Sequence, residues 1–142
     1  MKKALLILLS SSLVLAACAG AVSPPEADNI IGQPVPISGG GYTDINVTEL
    51  ETMLEDKDFL FVNVHIPEGG NIPNTDLFIP FDEISSNLEL LPQDKNAKIV
   101  LYCRSDSMSG IAAEELVGLG YTNIWNLDGG YNAWIDSGLP FE

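Results

Sequence analysis

The segment that most constrains this chain is Lys98-Ile99-Val100-Leu101-Tyr102, a short apolar and β-branched run that ends directly on a cysteine. Runs of this kind read as buried strands. From Ser109 the pattern turns helical, with Ile111, Ala112, Leu116 and Leu119 apolar and Gly120 as a stop. Cys103 is therefore expected at a strand-to-helix turn. The same alternation recurs on both sides. Thr48-Glu49-Leu50-Glu51 has a capping-box pattern, with Thr48 as the expected N-cap. Phe59 to Val64 and Leu77 to Ile79 read as strands, and Phe81 to Leu90 as a helix. Asn123 to Leu127 reads as another strand, followed by the turn Asp128-Gly129-Gly130 and a short helix over Tyr131 to Asp136. Strands alternating with helices imply an α/β fold: a small, mostly parallel central sheet flanked by helices on both faces. Ligands of such sheets sit outside the carboxyl ends of the strands, where Cys103 falls.

The beginning of the chain reads differently. Met1-Lys2-Lys3 is a positive leader, and Ala4 to Leu15 is apolar apart from Ser10-Ser11-Ser12. That stretch is shorter than the ~20 residues a spanning helix needs and reads as a secretory signal peptide. Leu15-Ala16-Ala17-Cys18 resembles the lipobox of bacterial lipoproteins, which implies cleavage after residue 17 and a lipid on Cys18. Acyl chains there would anchor the protein to the cell membrane or outer membrane, facing the periplasm or exterior. Residues 18–41, with Ser23-Pro24-Pro25, Pro34, Pro36 and Ser38-Gly39-Gly40-Gly41, are expected as a flexible linker, and 42–142 as the folded domain. Loss of residues 1–17 removes Lys2 and Lys3, so the six basic residues become four against 20 acidic ones, and the net charge of −14 becomes −16. Such a chain is repelled by nucleic acid.

If Cys18 carries lipid, Cys103 has no partner within the chain, an unusual state for an exported protein. A buried, inert thiol is the bland alternative. No metal is expected, because one histidine and one free cysteine cannot supply the usual zinc ligands. No cofactor is called for either: Gly39-Gly40-Gly41 lacks the lysine of a phosphate-binding loop.

Three segments carry a family resemblance over residues 42–142. Leu127-Asp128-Gly129-Gly130-Tyr131-Asn132-Ala133-Trp134 with Ser137-Gly138-Leu139-Pro140 is similar to the C-terminal signature of the rhodanese family. Cys103-Arg104-Ser105 matches the opening of its active-site loop, and Gly70-Asn71-Ile72-Pro73 resembles its Gly-His-Ile-Pro segment. The resemblance implies a sulfurtransferase in which the Cys103 thiolate attacks a sulfane sulfur, becomes a persulfide and passes the sulfur on. Main-chain amides of the loop and the following helix N-terminus would stabilise the anion. The implied substrate-binding loop is Arg104, Ser105, Asp106, Ser107, Met108 and Ser109. Arg104, the only arginine, is expected either to hold an anionic donor or to be a solvated surface charge.

This loop departs from the family's Cys-Arg-Ser-Gly-Asn-Arg-Ser. Asp106 stands for the glycine and Met108 for the second arginine, so both changes weaken anion binding. Asp tolerates positive φ better than most residues. The family's Asp-Val-Arg is Asn63-Val64-His65, a neutral pair that could support the site by hydrogen bonding; His65 is expected to be structural rather than a base. These departures disfavour thiosulfate, although main-chain amides alone could suffice to hold it, and they make polysulfide or a persulfide-bearing protein the alternative donors. They also keep open a catalytically degenerate interaction module. A phosphatase would need an arginine after five intervening residues, where this chain has Ser109. The protein is expected to act as a monomer whose partners are a sulfane-sulfur donor and, through Cys18, the membrane.

Overall fold

The computed structural model describes residues 32–142. The expected signal peptide, the lipidation site Cys18 and the linker as far as residue 31 lie outside those residues. Six strands form one sheet in the order β1-β2-β6-β5-β3-β4. They are β1 (Gln33–Ile37), β2 (Gly40–Ile45), β3 (Leu60–Asn63), β4 (Leu77–Phe78), β5 (Ile99–Tyr102) and β6 (Ile124–Leu127). All neighbours run parallel except β1 and β2, an antiparallel hairpin with Val35 opposite Tyr42.

That hairpin corrects the expected domain boundary. Residues 33–37 and 40–41 belong to strands of the sheet, so the fold reaches back at least to Gln33 instead of beginning at Tyr42. The prolines that argued for a linker are compatible with a strand because β1 is the sheet's edge. Pro34 and Pro36 are two residues apart and share one side, so their missing N–H groups can face away from β2. Gly41 is required in the hairpin: a Cβ there would lie 2.8 Å from the Val35 carbonyl oxygen.

Helices cover both faces of the sheet. α1 (Val47–Glu55) and α3 (Gly130–Asp136) pack on one side, where Leu50, Met53 and Trp134 meet Phe61, Val100 and Tyr102. On the other side lie α2 (Ser107–Gly118) and a 3-10 segment over Phe81–Leu90. There Ala112, Ala113, Leu116 and Ile84 cover Val62, Ile99 and Leu101. Strands sandwiched in this way need apolar residues on both faces, which is why β5 is buried throughout.

Local details differ from the sequence pattern. The α1 N-cap is Asn46 rather than Thr48. Its Oδ1 accepts from Glu49 N at 3.0 Å, and Glu49 Oε2 accepts from Asn46 N at 2.9 Å. Residues 81–90 form tight 3-10 turns around a non-helical Asn87 (φ −123°, ψ 31°), whose amide donates to Glu83 O at 2.8 Å. α2 begins at Ser107, two residues earlier than expected, and Ile111 and Leu119 are exposed rather than core-facing.

Candidate active site

Cys103 follows the last residue of β5, at the carboxyl end of the parallel strands. Three features of the chain fix its loop. The carbonyls of Cys103 and Arg104 accept from Tyr131 N and Asn132 N, at 2.9 and 3.0 Å, in the first turn of α3. This approach requires Gly130, which has φ +59° and whose hypothetical Cβ would fall 2.6 Å from the Arg104 carbonyl carbon. With those carbonyls engaged by α3, the sulfur is left to donors. Asp106 N donates to Sγ at 3.1 Å, and the Ser109 hydroxyl lies 3.4 Å from Sγ. The same hydroxyl is 3.0 Å from Asp106 O. It carries one proton and serves one acceptor at a time, so it can turn toward the sulfur when charge develops there. The expected surround of successive amides is thus one amide and one hydroxyl.

Asp106 occupies the glycine position of the loop with φ +104° and caps α2 without a side-chain hydrogen bond to the helix. Its carboxylate does not turn toward the sulfur. It accepts from the Asn126 amide on β6, which also donates to Asp44 Oδ1 at 2.8 Å. The added negative charge is therefore tethered behind the loop. Burial raises the Asp44 pKa from its ordinary value; the Asn126 amide opposes this, while Asp106 and Asp128 add repulsion.

A pocket of about 510 Å³ opens over Cys103. Of the loop residues, Arg104, Ser105, Ser107 and Met108 line it, whereas Asp106 and Ser109 support the sulfur from behind. Cys103 forms its floor, with only 2% of its surface exposed. The opposite wall comes from residues 65–69 and Tyr131. Glu68 and Tyr131 are additions that the sequence pattern did not single out. Tyr131 is the first residue of the expected short helix, within the C-terminal signature, and nothing in residue type or spacing distinguishes Glu68.

Asn63 and His65 part company. Asn63 is fully buried and does not line the pocket. Its amide donates to Gly70 O at 3.0 Å and to Asn71 Oδ1 at 3.1 Å, and its Oδ1 accepts from His65 N at 3.0 Å. The expected support is therefore a side chain holding the 65–71 backbone, not a bond between the two side chains. His65 does reach the pocket, with its ring edge-on to Tyr131 at 5.4 Å. Burial lowers the His65 pKa and the Arg104 charge lowers it further, so the ring is neutral at neutral pH. Its Nδ1 is buried without a hydrogen-bond partner among the described residues. Burial raises the Tyr131 phenol, Arg104 opposes this, and Cys103 adds to it. Among the described residues no group of acidic, histidine and cysteine side chains is arranged to hold a metal ion.

Comparison with known proteins fits this geometry. The family model of the rhodanese-like domain matches residues 46–137. A sulfurtransferase of Allochromatium vinosum is 35% identical over 101 residues, covering 68% of this chain and 92% of that protein. The adenylyltransferase and sulfurtransferase UBA4 of Candida albicans is 33% identical over 85 residues, 56% of this chain and only 19% of that much longer protein. The crystal structure of a rhodanese-like domain protein from Staphylococcus aureus superposes with a TM-score of 0.58 at 34% identity, covering 70% of this chain and 97% of the other. A cysteine at the end of a central parallel strand, a loop pinned by a glycine-led helix and this extent of similarity lead to one assignment: the chain belongs to the rhodanese-like sulfurtransferase family.

Proposed function

We propose that this protein is a membrane-anchored, extracytoplasmic sulfurtransferase or persulfide carrier with Cys103 as its nucleophile. One observation carries the catalytic part: the Cys103 sulfur forms the floor of the pocket and faces an amide and a hydroxyl donor. Donors at a sulfur stabilise negative charge that develops there, in the attacking thiolate and in the persulfide that follows. The thiolate attacks the outer sulfur of a donor. The donor's S–S bond breaks, its electron pair leaves with the donor remnant, and the sulfur stays on Cys103. A second nucleophile then removes it.

The test is transfer to cyanide. Full-length protein with a sulfane-sulfur donor is expected to form thiocyanate, and Cys103→Ser is expected to abolish this while leaving the circular dichroism spectrum unchanged. No turnover with thiosulfate, polysulfide or an organic persulfide would favour the interaction-module reading.

The anchoring part rests on Leu15-Ala16-Ala17-Cys18. Among the described residues no helix is long and apolar enough to cross a membrane. The protein expressed in a bacterium is expected to partition into the detergent phase, and Cys18→Ala into the aqueous phase. Aqueous partitioning of both would remove the anchor from this proposal.

A further inference from the structure

Resting on the assignment of sulfur transfer to Cys103, the structure also bears on which donor the pocket suits. Its volume of about 510 Å³ lies within the range of sites for small organic ligands. Two formal charges of opposite sign line it, Arg104 and Glu68, both on exposed side chains above the buried sulfur. They are not paired with each other: the ion pairs among the described residues are Lys57–Asp76 at 2.6 Å and Lys98–Asp58 at 2.7 Å. Apart from the reacting Cys103, the remaining lining adds no charge. His65 is neutral at neutral pH, and Met108 and Tyr131 present a thioether and a phenol.

A dianion entering this pocket meets one counter-charge and one repelling carboxylate. At longer range it meets a chain of net charge −14. A molecule with one ammonium and one carboxylate finds a partner for each, and its amino-acid part carries no net charge to be repelled. We propose that the Cys103 pocket takes its sulfur from a small zwitterionic organic persulfide of the amino-acid type, with Arg104 receiving the carboxylate and Glu68 the ammonium. The Cys103 thiolate bonds to the outer sulfur of the persulfide. The donor's S–S bond breaks, and its electron pair leaves as the free amino-acid thiolate. The transferred sulfur keeps its proton, and the exchange needs no added oxidant or reductant.

The experiment is single-turnover loading of the full-length protein, followed by intact mass. The probes are cysteine persulfide, 2-hydroxyethyl persulfide and thiosulfate. The two persulfides differ in their leaving thiols, so the pocket is read from how each charge substitution changes the ratio of their loading rates, not from the ratio alone. Cysteine persulfide is expected to load faster. Glu68→Gln and Arg104→Gln are each expected to lower the ratio by about fivefold, the scale of a solvent-exposed ion contact. Met108→Arg is expected to speed loading from thiosulfate. A ratio unmoved by both charge substitutions would overturn the donor assignment and leave sulfur transfer standing. No loading from any probe would overturn sulfur transfer and this inference with it.

Discussion

The wall of the pocket that carries Cys103 and the wall that carries His65 are held by different chemistry. The Cys103 loop is fixed mainly through main chain: two of its carbonyls accept from α3, and one of its amides donates to the sulfur. The His65 wall is fixed largely through side chains and the end of the chain. Asn63 grips Gly70 O and Asn71, Tyr102 Oη reaches Asn71 Oδ1 at 3.2 Å, and Asn71 exchanges two main-chain hydrogen bonds with Glu142. Phe141 packs on Tyr131, and Tyr131 on His65. A wall built from main chain can accept a side-chain change that points away from it, as Asp106 shows with its carboxylate tied to Asn126. A wall built from side chains depends on particular residues.

The sharpest break of this contrast is at Gly130. Gly130→Ala places a Cβ against the carbonyls of Cys103 and Arg104 at positive φ. The expected cost is about 2–4 kcal/mol in urea unfolding, with loading of Cys103 slowed at least about tenfold. On the other wall, Asn63→Asp restores the family's residue type yet is expected to destabilise by about 1–3 kcal/mol. It removes the amide that donates to Gly70 O and buries a carboxylate against that oxygen. A neutral or stabilising result in the same unfolding assay would show that the wall does not depend on Asn63. Ser109→Ala deletes the hydroxyl shared by Sγ and Asp106 O. It should cost about 1 kcal/mol, slow loading severalfold, and be partly rescued by Thr.

The smallest effect is a pH dependence at His65. Its pKa is lower in the folded protein than the unfolded value of 6.5. Above that value the ring is neutral in both states and stability is independent of its titration. As pH falls below it, the unfolded chain takes up the proton first, so stability is lost. Titration of the 20 acidic residues is superimposed on this. The discriminating quantity is therefore the stability of wild type minus that of His65→Gln, expected to shrink between pH 7.5 and 5.5. A constant difference would mean that His65 titrates normally.

The main-chain wall was legible in the sequence because its requirements fall on residue types with strong backbone meaning. Gly129-Gly130 announced the close turn, the apolar run ending at Tyr102 announced the strand, and Cys103 followed. The alternation of strands and helices gave the parallel sheet and its two covered faces. The side-chain wall was not legible. Asn63 and Asn71 can bond to almost anything, and their partners are set by tertiary placement. Glu68 enters the pocket from a segment without periodicity. The β1–β2 hairpin was missed because proline and glycine argue against strands in general, whereas an edge strand with two prolines on its open side escapes that rule. Asp106 was read as charge added to the site. Its tether to Asn126 depends on β6 lying beneath the loop, a juxtaposition of residues 20 positions apart.

Mass spectrometry of the full-length protein after brief exposure to an organic persulfide tests the central claim most directly. Sulfur transfer at Cys103 predicts a gain of one sulfur atom, located on the Cys103 peptide, lost on treatment with cyanide and absent in Cys103→Ser. An unchanged mass, or a sulfur carried equally by Cys103→Ser, would contradict it.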